Sequence, residues 1–289
     1  DIPSCVPPVP GLENAGAQFF AAEGEELSGL DRVIGLAEVM DFLAVIHGED
    51  RMMDIIDVMD KKGLYLQGHA PYVSGRMLSA YLCGGPNTCH ETRDRKEALE
   101  KLRSGMFVDA RDSSITKNVQ EVYEGVKGVR FFDHLCLCTD DREADDILHV
   151  GHMNDVVRSA IRCGMDPVTA IKSATLNTAR EIHLENLGAI APGYVADMLL
   201  VDDLTELKPS HVFFGGKLVA RDGKLTVEIP HREYPLEKVN TMCVKELSRE
   251  DFVIHAPVEN GTVTVHVMEY PDLNLSSTLL TTAQLPVKN

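Results

Sequence analysis

Apolar positions along this chain alternate between two textures. Short, nearly continuous apolar runs occur at residues 33–39, at 64–68 just before His69, in a brief run reaching His90, at 106–111 and at 131–138. Between them apolar residues return at helical spacing, as at Met52, Ile55, Ile56 and Met59. The pattern predicts helices over 21–31, 48–61, 74–83, 92–103 and 114–123, and two more over 155–163 and 166–179. The 92–103 helix shows Ala98, Leu99 and Leu102 on one face. Lys62-Gly63 ends the 48–61 helix as a C-terminal glycine does. Asp166-Pro167 reads as an N-cap followed by the first helical residue. Strand and helix alternate about every 20–30 residues, which means βα units and a parallel sheet. Five strands are counted to residue 141. A closed barrel needs eight, so the others are expected from the rest of the polypeptide or from another chain.

From Leu187 the texture changes. The run 188–202 is a turn and a strand, and Gly215-Gly216 between Val212-Phe213-Phe214 and Lys217-Leu218-Val219 reads as a hairpin. Leu225-Thr226-Val227 follows another turn at Asp222-Gly223. Residues 1–17 read as loop, 236–246 as linker, and 253–266 as further strands. The expected domains are 1–185, a (β/α) part; 186–236, a small β part; and 237–289, a linker and the start of a third domain. No internal repeat or low-complexity tract is found.

Charge narrows the partners. The 28 basic and 45 acidic residues give −17, a surface that repels nucleic-acid phosphates and anionic membranes but neither a neutral heterocycle nor a cation. No apolar run approaches the roughly 20 residues that cross a bilayer. The seven cysteines show no paired framework, which fits reduced thiols in the cytoplasm. Cys136-x-Cys138 is too tight for a zinc knuckle, and its alternation along a strand places both thiols in the core. The chain starts Asp1-Ile2-Pro3 without Met or signal sequence, and both ends read as cut, so a fragment is expected.

Four residues of metal-ligand type end apolar runs: Glu38, His69, His90 and Asp140. In a parallel barrel those positions are the catalytic rim. Carboxylate and imidazole together suit manganese, iron or zinc. A carboxylate can bridge two such ions, beside which a water loses a proton near neutral pH. Asp140 could take that proton and hand it to a leaving amine, so that a C–N bond is hydrolysed. Each residue alone has a plainer use. A lone His at a strand end is usually a hydrogen-bonded residue, Glu38 could cap the next helix, and Thr139-Asp140-Asp141-Arg142 could be a capping turn with a salt bridge. Four such placements at strand ends put the metal site ahead. Of the other histidines, His47 reads as a turn or mouth residue and His134 as core. His149 and His152 sit at a loop–helix junction, and His183, His211, His231, His255 and His266 lie away from the rim. Ser113-Ser114 and Lys117-Asn118 read as caps of the next helix before substrate contacts. No Ser-His-Asp order, phosphate loop or dinucleotide glycine pattern is present.

These residues resemble the amidohydrolase superfamily and, within it, the adenine deaminases. The resemblance runs from Ser4-Cys5-Val6-Pro7 to about Glu259. It is carried by Gly35-Leu36-Ala37-Glu38-Val39-Met40, Gly68-His69-Ala70-Pro71, His90-Glu91, Lys117-Asn118, Cys138-Thr139-Asp140-Asp141-Arg142, Ala174-Thr175-Leu176-Asn177 and 188–202. It implies an α/β fold: a distorted TIM barrel of the metal-dependent hydrolase type, incomplete in this chain, with a small β-sandwich domain beside it and an adenine-deaminase-type domain at the C-terminal end. It implies a binuclear site of Mn2+ or Fe2+, ahead of Zn2+, that hydrolyses adenine to hypoxanthine and ammonia. Glu38 would be the bridging, catalytic carboxylate, with His69 and His90 as ligands from the fifth and sixth strands. Asp140 would be ligand and proton shuttle, and Asp141 would contact the purine. A homo-oligomer is the superfamily's habit. The alternatives are an amidohydrolase acting on a cyclic amide, an N-acetyl group or a 6-substituted purine, and a non-catalytic scaffold of the same fold. The sequence departs from the family pattern at Ala37, Asp41-Phe42, Tyr72-Val73 and Cys89, and the family's first-strand His-x-His pair has no counterpart here.

Overall fold

A parallel strand forms at each of the five apolar runs, and each hands over to a helix. The structure, a computed structural model, describes residues 1–8, 11, 13, 15–235, 237, 240, 243–270 and 279–288. The elements run α1 (Ala21–Leu27), β1 (Gly35–Val39), α2 (Phe42–His47), α3 (Asp50–Lys61), β2 (Tyr65–Gly68), α4 (Gly75–Cys83), β3 (Thr88–Cys89), α5 (Arg95–Arg103), β4 (Phe107–Arg111), α6 (Val119–Val126) and β5 (Leu135–Cys138). Four helices follow: α7 (Ala144–His149), α8 (Met153–Arg162), α9 (Pro167–Ser173) and α10 (Leu176–Glu181). Gly63, with φ 65°, supplies the left-handed turn after α3. Asp166 caps α9 through its carboxylate, which accepts from Thr169 N at 2.9 Å.

Parallel pairing joins β1 to β2 and, in a second ladder, β3 to β4 to β5. The core follows the same division. Leu36, Val39, Met52, Ile55, Met59 and Tyr81 pack around the first ladder. Val108, Ala110, Leu135, Leu137, Val122 and Val156 pack around the second. Each such fully buried Val, Leu, Ile or Met side chain contributes about 1.5–3 kcal/mol relative to exposure. Where β2 meets β3, side chains hold the strands: Gly68 N donates to Thr88 Oγ1 at 2.7 Å. The approach is so close that a Cβ on Gly68 would stand 2.1 Å from Thr88 O. Gly68→Ala is therefore expected to force the strands apart and cost at least the roughly 1–3 kcal/mol of an overpacked core. A thermal unfolding midpoint equal to wild type would contradict that.

Several expectations need correction. Residues 1–17 are not all loop: Ile2 bridges Leu36 in parallel, Ile2 N donating to Gly35 O at 3.0 Å. The helix expected over 114–123 starts only at Val119, because Ser113 Oγ closes a turn by accepting from Ile115 N and Thr116 N. The 166–179 helix is broken at Ala174-Thr175 into α9 and α10. The last parallel strand begins at Leu135, since Asn177 Nδ2 claims the carbonyls of Phe132 and Leu135. His134 is thus not a core strand residue. It is half-buried, stacked on Phe107 at 4.1 Å between ring centres. The apolar face read on α5 is fully buried at Ala98, with Leu102 packed against the second core, and the polar Glu97 and Lys101 are buried beside it.

The small β part is an antiparallel sheet of β6 (Met198–Val201), β7 (Pro209–Phe214), β8 (Lys217–Arg221) and β9 (Lys224–Leu225). Gly215 and Gly216 both take positive φ in the expected hairpin turn. Contacts group the chain into two units, Asp1–Lys224 and Leu225–Asn289. In the second, Arg249–Phe252 is a single 3₁₀ turn, and β10 (Gly261–Glu269) pairs antiparallel with β11 (Leu279–Val287). Of the strands expected over 253–266, only the part from Gly261 forms. The linker expected over 236–246 lies partly outside the described residues. Among the described residues no helix is long and apolar enough to cross a membrane.

Candidate metal centre

The C-terminal ends of three parallel strands bring three ligand-type side chains together. Glu38 is the penultimate residue of β1, His69 follows β2 directly, and His90 follows β3 directly. Glu38 Oε2 lies 2.6 Å from His90 Nε2 and 3.5 Å from His69 Nδ1. The two imidazole nitrogens are 3.4 Å apart. The cluster is graded in exposure: His90 retains 6% of its side-chain surface, His69 15% and Glu38 35%, so it opens on the side of the carboxylate.

Local contacts aim these groups. His69 N donates to the hydroxyl of the fully buried Tyr81 at 3.0 Å. Ser4 Oγ donates to the Glu38 carbonyl. Asn118 fixes the far side: its Oδ1 accepts from Arg111 N at 2.7 Å, and its Nδ2 donates to His90 O and Thr92 O, both at 3.0 Å. Hydrogen bonds from His69 and then His90 hold the Glu38 carboxyl far below the usual carboxylate range, against the effect of its burial. Burial lowers His90, but the Glu38 hydrogen bond and the nearby charges of Cys89, Glu38 and Asp140 outweigh it and raise the imidazole's pKa.

Asp140 lies two residues beyond β5, in a left-handed conformation with φ 50° that a non-glycine residue adopts at a cost. Its carboxylate pairs with Arg111, which also pairs with the buried Glu91. It is not one of the three groups whose ligand atoms lie within 4.8 Å of one another. Asp141 is exposed, and its carbonyl accepts from Ser114 N at 2.9 Å. Arg142 does not pair with the adjacent aspartates. It binds Asp155 at 2.7 Å instead.

The donor set fits a divalent metal. One carboxylate oxygen and two imidazole nitrogens lie within 4.8 Å of one another, the mixture that manganese, iron and zinc share. Of the residues around the cluster, Glu91 and Asn118 were legible only as parts of motifs, without the contacts they make, and Arg111 was not singled out. The signal was available for Arg111, which shares the strand face of Asp109 and ends β4 at the rim.

A second group lies deeper, towards the opposite strand ends. Asp109, Cys136 and Glu181 are buried with ligand atoms within 4.8 Å of one another. Tyr65, at the start of β2, donates its hydroxyl to Glu181 Oε1 at 2.6 Å. Burial and then Glu181 push the Asp109 carboxyl well above its ordinary value. Burial, joined by Asp109 and Glu181, likewise pushes the Cys136 thiol up. Asp109, Cys136 and Tyr65 therefore keep their protons and converge on one carboxylate, Glu181.

The sequence matches the amidohydrolase family over residues 18–219. It is 38% identical over 263 residues to the adenine deaminase of Kosmotoga olearia, covering 90% of this chain and 45% of that one. It is 40% identical over 264 residues to adenine deaminase 2 of Carboxydothermus hydrogenoformans, covering 91% and 45%. With adenine deaminase 3 of Rhizobium meliloti the identity is 41% over 264 residues, covering 88% and 44%. The chain thus spans less than half the length of these relatives. Among solved structures it is similar to the β-aspartyl dipeptidase of Fervidobacterium islandicum, with TM-score 0.54 at 20% identity, covering 74% of this chain and 64% of that one. The fold is the TIM-barrel-like α/β fold of the metal-dependent hydrolases.

Proposed function

This chain belongs to the amidohydrolase family, and from that premise we propose that it catalyses the metal-dependent hydrolysis of adenine to hypoxanthine and ammonia. The observation that carries the chemistry is the convergence of Glu38, His69 and His90 at one mouth of the parallel strands. Similarity to adenine deaminases across about nine-tenths of the chain supports the substrate. In this reading Glu38, His69, His90 and Asp140 would hold part of a site for a divalent pair, manganese or iron ahead of zinc, and the remaining ligands would come from the rest of the polypeptide or from another chain. The metal supplies a water acidic enough to attack at neutral pH.

The chain's own residues do the rest. A C–O bond forms at purine C6 as the water's proton passes to Asp140. Asp140 then gives that proton to the departing amine, the C–N bond breaks, and ammonia leaves. Arg111 holds the Asp140 carboxylate in place between these steps, and Asp141 contacts the purine from the same loop. The reading includes a homo-oligomer and a cytoplasmic setting, with all seven cysteines as free thiols.

Metal analysis of the intact, full-length protein, paired with an ammonia assay over purines, cyclic amides and N-acetyl compounds, tests this. About two transition-metal ions per subunit and ammonia from adenine are expected. Release of product from an amide but not adenine would move the chain to the alternative amidohydrolase reading. Metal without turnover of any of these, or no metal at all, would leave a scaffold.

A further inference from the structure

The two histidines of the metal centre stand on opposite sides of the break between the ladders. His69 ends β2 in the first and His90 ends β3 in the second. Strand pairing does not set their spacing, so side chains must. The group placed to do so is Lys101, on the inward face of α5, with no exposed surface. Its Nζ donates to Ala70 O at 2.6 Å, one residue beyond His69. It contacts Cys89 Sγ at 3.1 Å, one residue before His90. It also donates to Glu97 Oε1 at 2.6 Å. Glu97 extends the grip, accepting from Tyr72 N at 2.9 Å and Arg93 N at 2.8 Å. Ala70 N in turn points at Cys89 Sγ at 3.4 Å. The residue after His69 and the residue before His90 are thus both tied to one buried ion pair. Burial works against the ammonium charge, but Cys89 and Glu97 more than restore it.

We propose that the Lys101–Glu97 pair is a positioning device that sets the separation of the His69 and His90 imidazoles, and with it the affinity of the site for metal. This rests on the metal-site reading above. Lys101 touches neither substrate nor metal. It acts through the backbone at Ala70 and the side chain of Cys89, as an outer partner that orients ligands. The cost of burying an ion pair is otherwise hard to account for, since apolar residues of similar volume usually serve stability as well or better.

The test is Mn(II) affinity, read from the electron paramagnetic resonance signal of free Mn(II), at a temperature where every variant is folded by near-ultraviolet circular dichroism. The double change Lys101→Met with Glu97→Gln removes both charges, so neither is left unpaired. It is expected to bind Mn(II) about 10- to 100-fold more weakly. Cys89→Ala removes one arm and keeps the ion pair. It covers the case in which the double variant does not fold, and a several-fold loss is expected. Wild-type affinity in the folded variants, even with a lowered unfolding temperature, would show a merely structural role and overturn the proposal. Absence of Mn(II) binding by the wild-type protein would overturn the functional reading and this inference together. A Glu38→Gln control that loses binding ties the signal to this site.

Discussion

Asp140→Asn is expected to lower kcat about 10²–10⁴-fold, the contribution of a positioned proton-transfer group, and to leave the fold intact. The asparagine keeps the size and one acceptor of the aspartate but cannot carry a proton from water to amine. The fold should tolerate the change because the Asp140 side chain is partly open to solvent, at 23%. Arg111, buried beneath it, keeps its second partner Glu91, so no buried cation is orphaned. The loss should fall on kcat far more than on KM, since adenine is bound by other groups. Steady-state ammonia release with circular dichroism on the same sample decides it. A variant that turns over at the wild-type rate removes Asp140 from proton transfer, and one that loses its fold removes the pairing argument.

Much of this architecture was legible in the order of the residues, for a physical reason. In parallel βα units the strand is an apolar run and its C-terminal end faces the mouth, so a ligand-type residue ending such a run is placed by topology alone. Glu38, His69 and His90 were found that way and do converge. What periodicity could not show were groups whose burial contradicts their chemistry. Lys101 reads as a solvated helix residue, yet it has no exposed surface because Glu97, one turn earlier, and the loops around both histidines complete its hydrogen bonds. The break between β2 and β3 was likewise invisible, since the apolar run before His90 is the same whether or not a ladder joins it to β2. Turn chemistry caused the other differences: the hydroxyl of Ser113 and the amide of Asn177 cut short elements that apolar runs alone would extend.

Asp109→Asn should change how stability depends on pH more than stability itself. In the folded chain Glu181 accepts the Tyr65 hydroxyl and faces the Cys136 thiol and the Asp109 carboxyl. Neither Asp109 oxygen has a hydrogen-bond donor facing it, and two carboxyl groups in contact settle by keeping one proton between them. Asp109 therefore stays protonated when folded, far above the range in which it ionises in the unfolded chain. Below that range both states carry the proton and the stabilisation is fully present. Above it the folded state binds one proton more than the unfolded state. Stability then falls as pH rises, by about 1.4 kcal/mol per pH unit for that proton, until the folded group itself ionises. The asparagine variant still donates to Glu181 and has no proton to lose. Near pH 5 its stability should lie within about 1–2 kcal/mol of wild type, as for one altered buried hydrogen bond. Towards pH 9 that difference should shrink and then reverse in the variant's favour. Denaturant unfolding of both proteins across this interval reads the effect directly. Parallel curves would mean that Asp109 carries a charge at neutral pH, and that a cation rather than a proton offsets Glu181.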